Sequence, residues 1–470
     1  MAAGLRAGDR AAIWAPNRWE WVVTMLGLHR AGVVVVPLNT RFKGEEAADI
    51  LERSGARLLF TVRGFLGVDY PEMLAGHRTL LERTVVFDSA DWDEFLDDRS
   101  DATPPAVAES DLSDIIFTSG TTGRPKGVMS THGQTVGVFR AWADIVGLRA
   151  RDRYLIATPF FHTFGYKAGI VASLVTGATA LPLAVADVAE VLRTVETERI
   201  TVLPATPTLF QSIFDHPDTA RRDLSSLRLS AVGAASVPVD LVNRMRSELF
   251  STVVTGYGLT ESTGVATMSR PDDPAAVIAS TVGRPLPGVE VRVVDPDGRD
   301  VETGAAGEVL IRGHNVMRGY LDDAEQTAAA IDPDGWLHTG DIGTLDDAGH
   351  LAITDRLKDM FIVGGFNAYP AEIEASLLRH PDVTMAAVIG VPDDRLGEVG
   401  VAYVVPASGT APSGTAIIEW ARERMANYKV PRRVEVVDAL PLNAVGKVLK
   451  DDLRAAAAAV DRPIPTEESR

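Results

Sequence analysis

The sequence contains no cysteine, which excludes a disulfide scaffold, a thiolate-held metal or iron–sulfur centre and a catalytic thiol. A reducing cytoplasm is compatible with that absence and is the expected location. Long hydrophobic runs are also missing. The longest, such as Val33–Leu38, fall far short of the ~20 residues a membrane helix needs, and Arg6, Asp9 and Arg10 stand where a signal peptide would be apolar. Membrane insertion is not expected. Positive charge is in deficit, with Lys+Arg 46 against Asp+Glu 64 and a net charge of −18. An acidic surface repels phosphate backbones and anionic headgroups, so nucleic acid is not an expected partner.

What is present is the balance of a globular chain: 46% hydrophobic, 23% charged, Gly 41 and Pro 27. Its 470 residues, at about 150 per domain, fit roughly three domains or one large multi-lobed enzyme. The first hundred residues read as β-α-β units on a parallel sheet. Arg10–Trp14 and Val33–Leu38 read as strands. Between them Asn17 is the expected N-cap, with Glu20 following; Trp21, Met25 and Leu28 recur at helical spacing, and Gly32 closes the helix. Gly44–Ser54 repeats the helix pattern and Arg57–Val62 the strand pattern. The Asp97–Asp114 stretch, with Pro104 and Pro105, is a surface connection before a strand at Ile115–Thr118. No repeat is visible. A charged segment at Asp355–Asp359 precedes a tail of domain size, and after Lys450 an alanine run and Arg462–Arg470 predict a fraying helix and a disordered end.

The sharpest local signal is Thr118-Ser119-Gly120-Thr121-Thr122-Gly123-Arg124-Pro125-Lys126-Gly127, directly after an apolar strand. Small hydroxyl residues and glycines let backbone N–H groups approach phosphate oxygens closely, and Lys126 adds a point charge. The spacing is not that of a Walker loop, which would place Gly at 125 and Ser or Thr at 127. A plain Gly/Ser turn is the competing reading.

This loop resembles the signature of the adenylate-forming superfamily, which includes acyl-CoA synthetases, luciferases and peptide-synthetase adenylation domains. Later segments resemble the family's further motifs in the family's order: Gly233-Ala234-Ala235, Tyr257-Gly258-Leu259-Thr260-Glu261, His338-Thr339-Gly340-Asp341, Asp355-Arg356-Leu357-Lys358-Asp359 and Asn443-Ala444-Val445-Gly446-Lys447. The resemblance implies ATP, Mg²⁺ and coenzyme A as cofactors and cosubstrates. Tyr257 with Gly233, Ala234 and Ala235 would offer adenine a flat surface and a close backbone. Thr260 would bond the α-phosphate, and Glu261 would be the hard oxygen ligand for Mg²⁺. Asp341 would accept from both ribose hydroxyls, helped by Arg356. Taken singly, Tyr257 reads as core, Glu261 as a solvated carboxylate and Lys447 as a surface charge. In the family the Lys447 position bridges the substrate carboxylate and α-phosphate, stabilising charge developing during adenylation.

The implied fold is α/β: a large N-terminal lobe of doubly wound sheets with a β-rich subdomain, over residues 1–357, and a small mobile α+β C-terminal domain over 358–454. Residues 455–470 are the expected disordered tail. Lys358 aligns with the hinge about which the C-terminal domain rotates between half-reactions, although a plain linker would look the same. Gly364, Gly365 and Phe366 would let a pantetheine arm pass close to backbone. The acid is expected near Pro159–Gly165, where His162 resembles the family's gate, competing with a packed core histidine, and where Phe164, Gly165 and Gly256 are further candidates. No carboxylate lies there to pair with an ammonium, so an amino acid is disfavoured. Lys167 reads either as a group reaching a ring ketone or as a surface lysine. Within the superfamily the chain looks most like the actinobacterial ligases of sterol catabolism, which activate a bicyclic hydrindanedione propanoate. A medium- or long-chain fatty acid is the alternative substrate, and carrier-bound pantetheine the alternative acceptor. A homodimer is a candidate assembly. Relatives usually carry some forty or more residues before the position of Met1, which leaves either an internal start or a missing sheet edge. A nucleotide- or acyl-binding protein inactivated by such a loss is the third reading.

Overall fold

In the computed structural model, residues 4–97, 103–118, 125–233, 237–356, 359–363, 366–368, 370–393, 396–425, 427–443 and 446–460 are described. The chain divides into two compact units: Met1–Arg292 with Leu310–Thr339 and Ala348–Leu351, and Val293–Val309 with Gly340–Asp347 and Ala352–Arg470.

The first unit carries a seven-stranded sheet, in the order Gly319–Tyr320, Lys126–Thr131, Leu112–Thr118, Val34–Pro37, Arg10–Trp14, Ala56–Thr61 and Arg83–Val86. The inner strands run parallel, joined by helices such as Trp19–Arg30 and Gly44–Ser54. Such strands are buried on both faces, hence the unbroken apolar run at Val33–Val36. Leu112–Thr118 and Lys126–Thr131 instead form an antiparallel hairpin, with Thr118 opposite Lys126 and Asp114 opposite Ser130. A second sheet orders Leu229–Val232, Thr252–Tyr257, Thr267–Met268 and Arg284–Pro285. Its core holds Val191, Leu192 and Val195 from one face of the helix Val188–Thr197, with Phe210, Val242, Met245 and Phe250. The 3.6-residue period puts those helix positions on one side.

The first helix behaves differently from its sequence signal. It starts at Trp19, with Arg18 in the cap position making no side-chain cap, while Trp21, Met25 and Leu28 are buried as their spacing predicts and Gly32 takes a positive φ of 71° just past the end. Asn17 is not the cap. Its amide is buried, donating to the carbonyls of Ile156 (3.1 Å) and Thr158 (2.8 Å) and accepting from the Phe160 N–H (2.7 Å). The Ile156 carbonyl also accepts from the Leu183 N–H at 3.1 Å, and Asn17 adds partners for the Thr158 carbonyl and the Phe160 N–H, a use of its amide that outweighs a cap that water can replace at the surface.

In the second unit Val383–Asp393 and Gly397–Pro406 form a long antiparallel pair, flanked by Phe361–Val363 and Arg433–Val436. Alternation splits its apolar residues between two faces. Val388, Ala402 and Val404 pack with Ile373 and Ile417 of the helices Pro370–Leu377 and Gly414–Arg422; Ala387, Ile389, Val401 and Tyr403 pack with Leu453 and Ala457 of Lys450–Val460.

Candidate functional site

The antiparallel hairpin places Thr118 and Lys126 across from one another at its end. Between them residues 119–124, with Ser119, Gly120, Thr121, Thr122 and Gly123, lie outside the described residues, and the Pro125 carbonyl accepts from Arg53 at 2.7 Å. Lys126 Nζ donates to Gln326 Oε1 at 2.6 Å and sits 4.9 Å from the centre of the Tyr320 ring, a cation–π distance. Tyr320 is delivered there by backbone: Gly319–Tyr320 pairs with the Lys126–Thr131 strand, Tyr320 opposite Val128. Its phenol donates to Glu261 Oε1 at 2.9 Å, and the Met317 N–H donates to the Glu261 carbonyl at 2.8 Å. Desolvation, then the adjacent Glu261 carboxylate, pushes the Tyr320 hydroxyl up, so it stays a donor at any working pH. Lys126 and Glu261, 135 residues apart in sequence, thus meet through Tyr320.

Glu261 belongs to a short turn built by steric necessity. The strand Thr252–Tyr257 ends at Tyr257, and a Cβ on Gly258 would lie 2.6 Å from the Gly264 carbonyl oxygen and the Val265 backbone. Only glycine allows that return of the chain. One turn of 3₁₀ helix, Thr260–Ser262, follows, with Thr263 at φ 58°, buried, its hydroxyl donating to the Asn315 carbonyl at 2.7 Å. Gly256 sits opposite Met268, where a Cβ would be 3.1 Å from the Thr267 carbonyl oxygen.

The expected acid-binding segment abuts this turn. A Cβ on Gly264 would meet the Thr163 side chain at 2.9 Å, and one on Gly233 would lie 3.7 Å from the Phe164 ring. Gly233 ends the strand Leu229–Val232; Ala234 and Ala235 lie outside the described residues. Phe164–Val171 is a π-helix, with the Ala172 N–H bonded to the Lys167 carbonyl five residues back. Its entry is crowded: a Cβ on Gly165 would sit 2.2 Å from the Pro159 carbonyl oxygen. His162 Nδ1 accepts from the Phe164 N–H at 3.2 Å, and burial lowers its imidazolium to about 4, so the ring is neutral. Lys167 is neither a surface lysine nor a group facing the acid. It is fully buried, as is the whole of Gly165–Val171 around it, and is paired with Asp114 Oδ1 at 2.9 Å.

In the second unit Asp341 is buried within Leu337–Leu345. Arg356 ends the strand Leu351–Arg356 and Phe366 opens Phe366–Ala368; Lys358, Gly364 and Gly365 lie outside the described residues. Lys447 is exposed on a tight turn. Its N–H donates to Asn443 Oδ1 (2.8 Å), its carbonyl accepts from the Asn443 N–H (2.8 Å), and Gly446 between them has φ 80°. A bridge between Leu442 and Val448 closes the turn. Three residues on, Lys450 pairs with Glu374 at 2.8 Å, and Arg454 pairs with Asp359 at 2.6 Å, anchoring the turn to the domain.

The sequence reading missed Tyr320, Gln326 and Asp114, and it gave Asn17 a cap where the structure gives it backbone partners at Ile156, Thr158 and Phe160. No motif or period marks the first two; the only available signal for Asp114 was a carboxylate inside an otherwise apolar strand. Among the described residues no three His, Asp or Glu side chains cluster as a metal cage. A single carboxylate beside a phosphate-type hairpin fits Mg²⁺, which is commonly held by one or two carboxylates and its substrate's phosphates.

Comparison with known proteins matches residues 1–321 to AMP-binding enzymes and residues 372–447 to the AMP-binding enzyme C-terminal domain. A 3-[(3aS,4S,7aS)-7a-methyl-1,5-dioxo-octahydro-1H-inden-4-yl]propanoyl:CoA ligase of Mycobacterium tuberculosis strain H37Rv is 53% identical over 466 residues, 97% of this chain and 90% of the relative. The ligase of the same name from Rhodococcus jostii strain RHA1 is 52% identical over 470 residues, 96% of this chain and 89% of the relative. Among solved structures, ATP-bound MatB from Rhodopseudomonas palustris superposes with a TM-score of 0.88 at 30% identity, covering 98% of this chain and 91% of that one.

Proposed function

The chain belongs to the AMP-binding enzyme family, and from that membership we propose that it is an AMP-forming acid:CoA ligase whose acid is a steroid-derived bicyclic propanoate. The observation that carries the substrate is the identity of 52–53%, over 96–97% of this chain, to two ligases named for that acid. The segment Pro159–Tyr166 agrees with it, being aromatic and free of carboxylate.

The chemistry follows from the poor leaving group of a free acid. A carboxylate oxygen attacks the α-phosphorus of ATP and pyrophosphate departs; the CoA thiol then loses its proton, attacks the acyl carbon and displaces AMP. In this reading the hairpin ending at Thr118 and Lys126 grips the phosphates, and Thr260 bonds the α-phosphate. Glu261, aligned by Tyr320, would hold Mg²⁺. That ion neutralises phosphate charge when bound. Tyr257 and Gly233 are assigned to the adenine, Asp341 and Arg356 to the ribose. Lys447 neutralises charge developing between carboxylate and α-phosphate. His162 and Phe164, beside Gly165 and Gly256, border the acid. His162 is neutral, which suits a gate next to an apolar acyl group rather than a proton carrier. The Gly364–Phe366 stretch is the passage for pantetheine. The protein would act in a reducing cytoplasm, and a homodimer is the assembly we expect from light scattering.

The deciding experiment is CoA-dependent release of AMP from ATP and Mg²⁺ with fatty, aryl and hydrindanedione-type propanoic acids. AMP with the bicyclic propanoate at a kcat/KM at least tenfold above that for octanoate is the expected result. Preference for octanoate or palmitate would replace the substrate, acyl-AMP without acyl-CoA would point to a carrier acceptor, and no AMP from any acid would overturn the ligase reading.

A further inference from the structure

One buried titratable cluster has no part in the chemistry described above. Lys167 and Asp114 are both completely buried, their charged atoms 2.9 Å apart, and Lys167 Nζ also donates to Ser130 Oγ at 2.9 Å. Asp114 Oδ2 accepts from Ser113 Oγ at 2.6 Å and from Thr135 Oγ1 at 3.4 Å.

Their position makes the cluster informative. Asp114 and Ser130 are cross-strand partners in the hairpin whose far end is Thr118 opposite Lys126. Lys167 stands within the π-helix Phe164–Val171, directly after His162 and Phe164. One lysine therefore clasps both strands of the phosphate hairpin and belongs to the helix bordering the acid. A buried ion pair is poor evidence of stabilisation, since well-packed apolar residues of equal volume often do as well; its attested benefit is to select one register. A π-helix is rare, and such segments concentrate at functional sites. A change to α-helical register would shift Lys167 relative to Asp114 and Ser130 and lengthen both 2.9 Å contacts, so the pair favours the π register.

We propose that the Lys167–Asp114–Ser130 clasp is a positioning and specificity device, locking the acid-side helix in its π register against the phosphate hairpin so that acid and ATP are held in one frame. The kinetic part of this inference rests on the ligase reading; the structural part does not.

The test uses the full chain and the double variant Asp114→Asn/Lys167→Met, which removes both charges together, alongside Ser130→Ala, which removes one arm and strands no charge. Hydrogen–deuterium exchange is followed over residues 164–171. The double variant is expected to exchange there at least tenfold faster, Ser130→Ala about threefold faster, with the Gly44–Ser54 helix unchanged. The KM for the acid should rise about tenfold and the preference among acids narrow, while the KM for ATP stays within twofold. A merely structural role would reduce the active fraction and kcat without moving KM or preference. Unchanged exchange over 164–171 in a folded variant overturns the proposal; so does faster exchange with the acid KM and preference of the parent. If the parent releases no AMP from any acid, the ligase reading falls and the exchange result alone decides the clasp. If the double variant does not fold, Ser130→Ala decides by the same criteria.

Discussion

The residues proposed for the site have chemistry that depends on their surroundings more than on their type. Lys447 is an exposed lysine like many others, yet it is carried on a turn closed by Asn443 and a positive-φ Gly446 and anchored through Lys450 to Glu374. For the Lys447→Ala variant we expect acyl-AMP formation to fall by about 10²–10³, the usual loss for a single group stabilising transition-state charge, with thioesterification of preformed acyl-AMP retained. Equal loss in the two half-reactions, measured separately, would remove that role. The histidines make a second case. Burial lowers both His162 and His29 to about 4, for His29 with help from neighbouring His132. Each is neutral in the fold but protonates in the unfolded chain near its ordinary 6.5, so the stability they contribute is complete above about 6.5 and is lost as pH falls toward 4. Thermal unfolding at pH 5 should come at a lower temperature than at pH 7. In His162→Leu the gap should narrow, by an amount on the order of 1 kcal/mol. A pH dependence as steep as the parent's would assign the acid sensitivity elsewhere.

Among the elements, the turns at the site are less forgiving than the helices that support them. The helix Gly44–Ser54 is specified by its pattern and ends at a left-handed Gly55, as any amphipathic helix would. The turn after Tyr257 admits only one residue at 258, because backbone lies 2.6 Å from where a Cβ would sit. Gly258→Ala must push Gly264 and Val265 outward, moving Glu261 and with it Thr163 on the acid side. A backbone shift of that kind costs about 1–3 kcal/mol. We expect kcat/KM for ATP to drop about 30-fold or more, with far-ultraviolet circular dichroism preserved; a variant with parental ATP kinetics would show that the close approach does not position the site. Asn17 belongs to the same scale: an amide with an N-cap signature is recruited instead to bracket the segment entering the acid-side helix.

At the level of the molecule, two units each have their own core, and the reaction has two half-steps. Most of the nucleotide-side candidates lie in the first unit, while Lys447, Asp341 and the expected hinge at Lys358 belong to the second. If the second domain changes orientation between half-reactions, a proline at 358 should hinder the change by restricting backbone φ. Lys358→Pro is expected to retain acyl-AMP formation within about threefold and to lose acyl transfer to CoA by at least tenfold. Undiminished CoA transfer, followed by thioester formation from preformed acyl-AMP, would exclude the hinge.

The sequence by itself determined the elements and the motifs: strands at Arg10–Trp14, a helix at Gly44–Ser54 and the ordered run from Thr118 to Lys447 all depend on local periodicity and local residue chemistry, which neighbours along the chain carry in full. Only the tertiary structure decided that Asn17 faces inward, that Lys167 is buried against Asp114, and that Tyr320 joins Glu261 to the phosphate hairpin. Those are contacts between segments dozens to more than a hundred residues apart. Whether a polar side chain meets water or a partner is set there by the desolvation cost of burial and by what the opposing segment offers. No period or spacing along the chain encodes that.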